Sequence, residues 1–138
     1  MILLDTSGLL ALIDSAQSRH ADTAAAIATF EPPFLLSPFV LAELDYLLAT
    51  RVGLAAEQAF LGEVAAGAYR LVHFDAHDVG RARKVIEKYA DLEIGLADAS
   101  IVVLAERHRV HDVLTLDERH FRVLMAAGES FRLIPADL

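Results

Sequence analysis

The sequence predicts an α/β fold in which helices cover both faces of a mainly parallel β-sheet, giving a three-layer α/β/α sandwich. Short apolar runs alternate with longer segments in which apolar residues recur at helical spacing, and this alternation is typical of parallel sheets. The chain has 138 residues, of which 55% are hydrophobic. A chain of that length suits one domain with its own core, and no linker or repeat interrupts it. We therefore expect residues 1–138 to form a single domain.

The first strand is predicted at residues 2–5, because a continuous apolar run indicates a strand that is covered on both faces. Residues Thr6 to Gly8 offer a cap for a helix that reaches about Ile13. An alanine-rich helix is predicted over about residues 19–30. Two consecutive prolines, Pro32 and Pro33, end it.

The second strand, predicted at residues 34–37, leads directly into a helix. Ser37 is a favourable N-cap and the proline after it a favourable first helical residue, so we predict a helix over about residues 38–50. The apolar residues of this helix form one stripe, composed of Val40, Leu41, Leu44, Leu47 and Leu48. Gly53 separates it from a further helix at residues 55–66.

The second half of the chain repeats the alternation of strands and helices. Asp75 is a favourable cap for a basic helix, and a proline at position 135 follows the last apolar run. In chain order the predicted elements are a strand at residues 70–73, helices at residues 76–89 and 97–109, and strands at residues 113–116 and 131–134.

The composition excludes several classes of function. No cysteine is present, which excludes disulfide bonds, thiolate nucleophiles and cysteine-based zinc sites. No apolar stretch approaches the roughly 18–20 residues of a membrane span, and no basic segment precedes the first apolar run as in a signal peptide. We expect a cytoplasmic protein without a membrane partner. The net charge of −8 argues against a broad basic surface for nucleic acid and suits a basic protein partner.

Four carboxylates lie where such a fold could gather them. Asp5 and Asp117 each end an apolar run, and ligand sites in open parallel sheets form outside the carboxyl ends of the strands. Glu43 and Asp98 lie on predicted helices that are otherwise apolar. Apolar residues stand three, four and seven positions after Asp98, so its carboxylate projects along the apolar face. A buried carboxylate must be paired, protonated or bound to a metal.

Each acid also has an ordinary structural interpretation. Asp5 could cap the helix that follows it, and Asp117 could be a turn residue. Asp98 could be stabilised at a helix N-terminus by the helix dipole. Glu43 lies at one edge of the apolar stripe and could be a boundary residue with an exposed head. Asp45 lies at the opposite edge of the same stripe, and for this residue we prefer that interpretation. The four placements together are harder to explain by chance.

A cluster of carboxylates points to a hard divalent cation, Mg²⁺ or Mn²⁺. The cation removes the repulsion between neighbouring carboxylates and can activate a bound water as a nucleophile. The hydroxyls of Thr6, Ser7 and Thr115 could orient a carboxylate, a water or a phosphate, although capping is their commoner role. The sequence therefore predicts a metal-dependent site for phosphoryl transfer.

At these residues the sequence resembles the PIN-domain nucleases, and within them the VapC toxins of prokaryotic toxin–antitoxin pairs. The resemblance spans almost the whole chain, and a phenylalanine at position 121, shortly after the last acid, also fits it. Four segments carry it in the family's order and at its spacing: Ile2 to Ser7, Val40 to Leu44, Leu96 to Ile101 and Leu114 to Asp117.

The resemblance implies a PIN-like sandwich with about five parallel strands, often in homodimers, and an Mg²⁺- or Mn²⁺-dependent endoribonuclease that cleaves cellular RNA. It also implies a VapB-like antitoxin as partner and the cytoplasm of a prokaryotic cell as location. It assigns catalytic positions to Asp5, Thr6, Glu43, Asp98, Thr115 and Asp117. Among these, the resemblance makes Asp5 and Asp98 the metal ligands.

Three other classes of protein could gather acids in a fold of this kind. A response-regulator receiver needs an acidic pair after the first strand and a lysine after a late one, but neither Lys84 nor Lys88 follows a predicted strand. A phosphatase of the haloacid-dehalogenase type needs Asp-x-Asp at the first strand, where this chain has Asp-Thr-Ser. A non-catalytic interaction module with the same fold is disfavoured by the complete set of acids, and it stays open at this point.

Overall fold

The structure, a computed structural model, describes residues 1–138 and contains a five-stranded parallel sheet at its centre with helices packed around it. The five central strands are β1 (Ile2–Leu4), β2 (Phe34–Leu36), β3 (Arg70–Leu71), β4 (Asp112–Leu114) and β7 (Arg132–Ile134). A separate antiparallel pair is formed by β5 (Met125–Ala126) and β6 (Glu129–Ser130).

Seven α-helices accompany the strands, with one π-helical turn and one 3₁₀ turn between them. The helices are α1 (Thr6–Ile13), α2 (His20–Ile27), α3 (Pro38–Leu47), α4 (Leu54–Ala65), α5 (Ala76–Lys88), α6 (Leu96–His108) and α7 (Glu118–Phe121). The π-helical turn covers Leu48–Val52 and the 3₁₀ turn covers Ala90–Leu92. None of the helices has the combination of length and apolar character that crossing a membrane would require.

The strand order is β3-β2-β1-β4-β7, and every neighbouring pair in this sheet is parallel. All five strands therefore end at the same edge. The central strand β1 lies between β2 and β4, with Leu3 opposite both Leu35 and Val113. All three residues are buried, as expected for strands covered on both faces. The α/β class and the parallel sheet predicted from the sequence are confirmed.

The local signals in the sequence also place two helix starts correctly. The Ser37 side chain accepts a hydrogen bond from the Phe39 backbone N–H at 3.2 Å, and proline begins α3. Asp75 and Asp78 form a capping box at the start of α5, each side chain accepting from the other residue's backbone N–H. Both caps satisfy backbone groups that the first turn of a helix leaves unpaired.

Three features differ from the prediction. The helix predicted to reach position 50 ends as an α-helix at Leu47 and continues as the π-helical turn, which the Gly53 N–H closes on the Leu48 carbonyl at 2.8 Å. The edge strand β3 has two residues instead of four. Helix α7 and the β5–β6 pair were not predicted, because elements of two to four residues are too short to show a hydrophobic period.

Candidate active site

A cavity of about 370 Å³ opens at the edge of the sheet where the strands end. All four carboxylates singled out in the sequence line it: Asp5, Glu43, Asp98 and Asp117. Asp5 directly follows β1, and Asp117 follows β4 in the neighbouring position of the sheet. Helices α3 and α6 supply the other two acids. The fold thus brings together residues from four separate parts of the chain, as expected from the ends of adjacent parallel strands.

Asp5 lies at the base of the cavity and is 4% exposed. Its Oδ2 atom accepts hydrogen bonds from Ser7 Oγ at 2.8 Å and from Thr115 Oγ1 at 2.6 Å. Burial raises the pKa of Asp5, and the hydrogen bonds from Thr115, Ser7 and the Thr6 backbone oppose that rise. Two hydroxyls therefore hold this carboxylate in one orientation.

The hydroxyls after β1 do not cap the helix, in contrast to the expectation from the sequence. Asp5 occupies the N-cap position of α1 without a side-chain capping bond, and the helix begins at Thr6. Ser7 Oγ instead accepts a hydrogen bond from the Leu116 backbone N–H at 2.9 Å, which ties α1 to the segment after β4. The Thr6 hydroxyl is buried in the cavity wall and has no hydrogen-bond partner in the protein. A buried hydroxyl without a partner is a donor available to a bound group.

Asp98 and Asp117 converge on a histidine that the sequence analysis did not single out. His120 Nδ1 lies 3.0 Å from Asp98 Oδ2 and 2.9 Å from Asp117 Oδ2. Asp117 also accepts a hydrogen bond from the His120 backbone N–H and so caps α7, as its interpretation as a turn residue suggested. The available signal was the Asp-x-x-His spacing, which places both side chains on one turn of helix.

Asp98 occupies the first turn of α6, and its side chain is 17% exposed. Burial and, second, the negative charge of Asp5 raise the pKa of Asp98 to about 6, although His120 acts in the opposite direction. The helix N-terminus alone therefore does not explain this residue, because that environment would lower the pKa. Asp98 is instead a carboxylate held near other negative charge.

Glu43 and Asp45 occupy different environments on α3. Glu43 is exposed at the rim of the cavity, and its carboxylate makes no hydrogen bond or ion pair within the protein. Asp45 lies outside the cavity, and the interpretation of this residue as a boundary residue with an exposed head holds only in part, because Asp45 is half-buried. Its Oδ1 atom is buried without a hydrogen-bond donor, and a hydrogen bond with Asp45 raises the pKa of Glu57 on the neighbouring helix α4.

The cavity has the donor set of a divalent metal site. One ligand atom from each of Asp98, Asp117 and His120 lies within 4.8 Å of the others. Carboxylate oxygens suit Mg²⁺ and Mn²⁺, and an imidazole nitrogen is also an acceptable ligand for Mn²⁺ and other transition metals. Asp5 adds a third carboxylate, close enough to raise the pKa of Asp98. The residues present therefore fit a bound cation, which would relieve their mutual repulsion.

A second acidic group, on α5, is explained by the fold. His73, Asp75 and Asp78 also bring ligand atoms within 4.8 Å of one another. Asp75 and Asp78 form the capping box of α5, and the buried Asp78 carboxylate accepts a hydrogen bond from Arg107 at 3.1 Å. Hydrogen bonds from backbone and guanidinium thus satisfy these carboxylates without a metal.

We expect the protein to lose stability as pH rises through 4 to 6 because of Asp98. Its pKa is about 6 in the folded state against an ordinary value of 3.8, so the folded state binds more protons in this range. About two pKa units correspond to about 3 kcal/mol in the free energy of unfolding. Urea unfolding in EDTA should show Asp98→Asn gaining this amount over wild type between pH 4 and pH 7. A difference between the two proteins that does not change with pH would contradict the raised pKa.

Comparison with known proteins adds a family match and a close relative. The family model of the PIN domain matches residues 2–124. Ribonuclease VapC26 of Mycobacterium tuberculosis (strain ATCC 25618 / H37Rv) is 46% identical over 135 residues, which cover 97% of this chain and 100% of that protein.

Two solved structures share the fold. The crystal structure of Mycobacterium tuberculosis VapC20, described as a sarcin-ricin loop cleaving toxin, superposes with a TM-score of 0.79 at 24% identity, over 85% of this chain and 90% of that one. FitAcB from Neisseria gonorrhoeae superposes with a TM-score of 0.61 at 23% identity, over 86% and 88%. At these sequence identities, the two structures support a shared fold and nothing further.

Proposed function

Since this chain belongs to the PIN-domain family, we propose that it is an endoribonuclease that depends on Mg²⁺ or Mn²⁺ and acts as the toxin of a VapBC-type pair. The observation that carries the proposal is the single cavity lined by Asp5, Glu43, Asp98 and Asp117. The name of its 46% identical relative, a ribonuclease matched over its full length, supports the reaction class.

The metal would be held by Asp5 and Asp98, as the resemblance implies. The structure brings one ligand atom of Asp98 within 4.8 Å of one from Asp117 and one from His120, so these two residues are further candidate ligands. When bound, it would supply a water of lowered pKa and positive charge beside the RNA phosphate. Ser7 and Thr115 contribute by fixing the Asp5 carboxylate.

Glu43 has a different role in this proposal. Its carboxylate lines the cavity without any hydrogen bond, so it is free to accept the proton of the attacking water. The unpartnered hydroxyl of Thr6 is available to donate to a phosphate oxygen or to a water in the cavity. The reaction is hydrolysis: the water oxygen bonds to phosphorus, and the bond from phosphorus to the leaving ribose oxygen breaks.

The proposed partners are RNA, a VapB-like antitoxin and a second copy of the chain in a homodimer. With 20 acidic and 12 basic residues, the protein is electrostatically complementary to a basic antitoxin segment. The proposed role as a VapC-type toxin implies the cytoplasm of a prokaryotic cell as its place of action.

The alternatives fit the structure less well. Lys84 and Lys88 are exposed on α5 and do not line the cavity, so the lysine of a receiver domain is missing from the site. A phosphatase of the haloacid-dehalogenase type would need a second acid two positions after Asp5, where Ser7 donates to Asp5 instead. A non-catalytic module would not need four carboxylates around one cavity, because their repulsion destabilises the fold without a metal.

The test is cleavage of total RNA by the purified protein. We expect cleavage in millimolar Mg²⁺ or Mn²⁺ and none in excess EDTA, because carboxylates alone provide neither the activated water nor the positive charge. Asp5→Asn, purified in parallel, controls for contaminating nucleases. Equal cleavage by this variant and wild type, or cleavage that persists in EDTA, would contradict the proposal.

A further inference from the structure

We propose that Arg51 is a substrate-binding residue that anchors an RNA phosphate at the mouth of the acidic cavity. The inference rests on the proposed nuclease function, and it concerns a residue outside the four acids. Arg51 lies in the π-helical turn after α3 and lines the cavity, which has no other lysine or arginine in its wall.

The π-helical turn explains how Arg51 reaches the cavity. Glu43, Leu47 and Arg51 form an i, i+4, i+8 row, and all three line the cavity. In an ideal α-helix such a row drifts by about 40° at each step, because four residues exceed one turn of 3.6. A π-helical turn takes more residues per turn and reverses this drift. The turn thus returns Arg51 to the face that carries Glu43.

The direction of the side chain favours the same conclusion. Side chains on a helix lean toward its N-terminus, so Arg51 extends from the end of the row back toward Glu43 and the acids. Arg51 is exposed, whereas Asp5 at the base of the cavity is buried. The guanidinium therefore lies at the mouth of the cavity and not at the reacting centre.

Arg51 is free to bind an external anion. It makes no ion pair or side-chain hydrogen bond in the protein, although it lines a cavity with four carboxylates. Five of the other nine arginines have a carboxylate partner. The pairs are Arg19 with Asp22, Arg81 with Glu106, Arg107 with Asp78, Arg122 with Asp137, and Arg132 with Asp112.

An RNA strand entering an acidic cavity meets repulsion, and one cation at the entrance offsets part of it. The planar guanidinium of Arg51 can donate two parallel hydrogen bonds to one phosphate, which fixes the strand as well as attracting it. A contact made equally in the ground state and the transition state lowers KM and leaves kcat unchanged. Arg51 therefore acts on RNA binding, whereas the acids act on cleavage.

The test compares Arg51→Ala and Arg51→Lys with Arg83→Ala, which removes the same charge from an exposed, unpaired position on α5 outside the cavity. Binding of a fluorescein-labelled single-stranded RNA is measured by anisotropy in EDTA at several NaCl concentrations. Arg51→Ala should weaken binding about tenfold to a hundredfold. It should also reduce the slope of log Kd against log salt by about 0.7, the value for one phosphate contact on a single strand.

Kinetics in Mg²⁺ provide the second readout. Arg51→Ala should raise KM by a similar factor, with kcat little changed. Arg51→Lys should weaken RNA binding less than Arg51→Ala, because lysine keeps the positive charge but cannot donate two parallel hydrogen bonds from one planar group. Equal salt slopes for the Arg51→Ala and Arg83→Ala variants, or a fall in kcat alone, would overturn the assignment. A wild type that binds RNA through Arg51 but never cleaves it would overturn the nuclease proposal and leave this one standing.

Discussion

Replacing Asp98 with asparagine is expected to lower the rate of RNA cleavage by at least about a thousandfold while the protein stays folded. The substitution keeps the shape of the side chain and removes a charge that faces Asp5, Asp117 and His120 in the cavity. Loss of one preorganised electrostatic group costs about a hundredfold to a thousandfold in kcat, and weaker metal binding adds to that loss. The measurement is single-turnover cleavage of a labelled RNA by both proteins at the same millimolar Mg²⁺ concentration.

Asp91→Asn is the matched control, since Asp91 is exposed on the 3₁₀ turn shortly before α6 and lies outside the cavity. It should cleave at the wild-type rate. Thermal melting separates loss of metal from loss of fold: millimolar Mg²⁺ should raise the melting temperature of the wild type and of Asp91→Asn, and raise that of Asp98→Asn less. Wild-type activity in Asp98→Asn would remove this carboxylate from the mechanism.

The largest expected effect on stability comes from Gly8→Ala. A Cβ atom at position 8 would lie 2.3 Å from the Leu114 backbone oxygen and 2.6 Å from its carbonyl carbon, so helix α1 must move away from β4. Overpacking against backbone cannot be relieved by a rotamer change, and we expect a loss of about 3–5 kcal/mol. The melting temperature should fall by more than about 10 °C.

Gly80→Ala and Gly62→Ala test whether the effect belongs to the contact. Both glycines lie inside helices with no atom within 4 Å of the added Cβ. Alanine should stabilise each helix by about 0.5–1 kcal/mol, because glycine loses more backbone entropy on folding. A Gly8→Ala protein as stable as these two would show that α1 and β4 are not packed as closely as described.

Some of the fold and site follows from the sequence because it depends on local signals. A continuous apolar run predicts the buried strand β1 wherever that strand lies in the sheet, and Ser37 and Asp75 cap their helices through neighbouring backbone groups. Asp5 and Asp117 could be expected to meet because strand ends share one edge in a parallel sheet. The placement of the four acids in the predicted fold indicated that they could form one cluster, and the resemblance to PIN domains added their assignment as catalytic residues.

The remaining features depend on contacts between distant residues. His120 forms a hydrogen bond with Asp98 only because α6 and α7 come together beside the cavity. No local sequence pattern predicts this contact between the two helices. The close approach of Gly8 to Leu114 requires that α1 pack on β4. The π-helical turn that follows α3 places Arg51 at the cavity, and its formation depends on how the end of α3 packs in the fold. Sequence periodicity does not describe any of these relations.

A hydrogen bond joins Asp5, directly after β1, to Thr115, which lies 110 positions later in the chain, and the Ser7 hydroxyl also lies within hydrogen-bond distance of Thr115. Until the segment from β4 to α7 has left the exit tunnel, Asp5 lacks one of its two hydroxyl donors and the cavity lacks Asp117 and His120. A growing chain therefore has no complete site until this segment has emerged. Under the proposed function, the nuclease would stay inactive until then, and an antitoxin would be needed only from that moment.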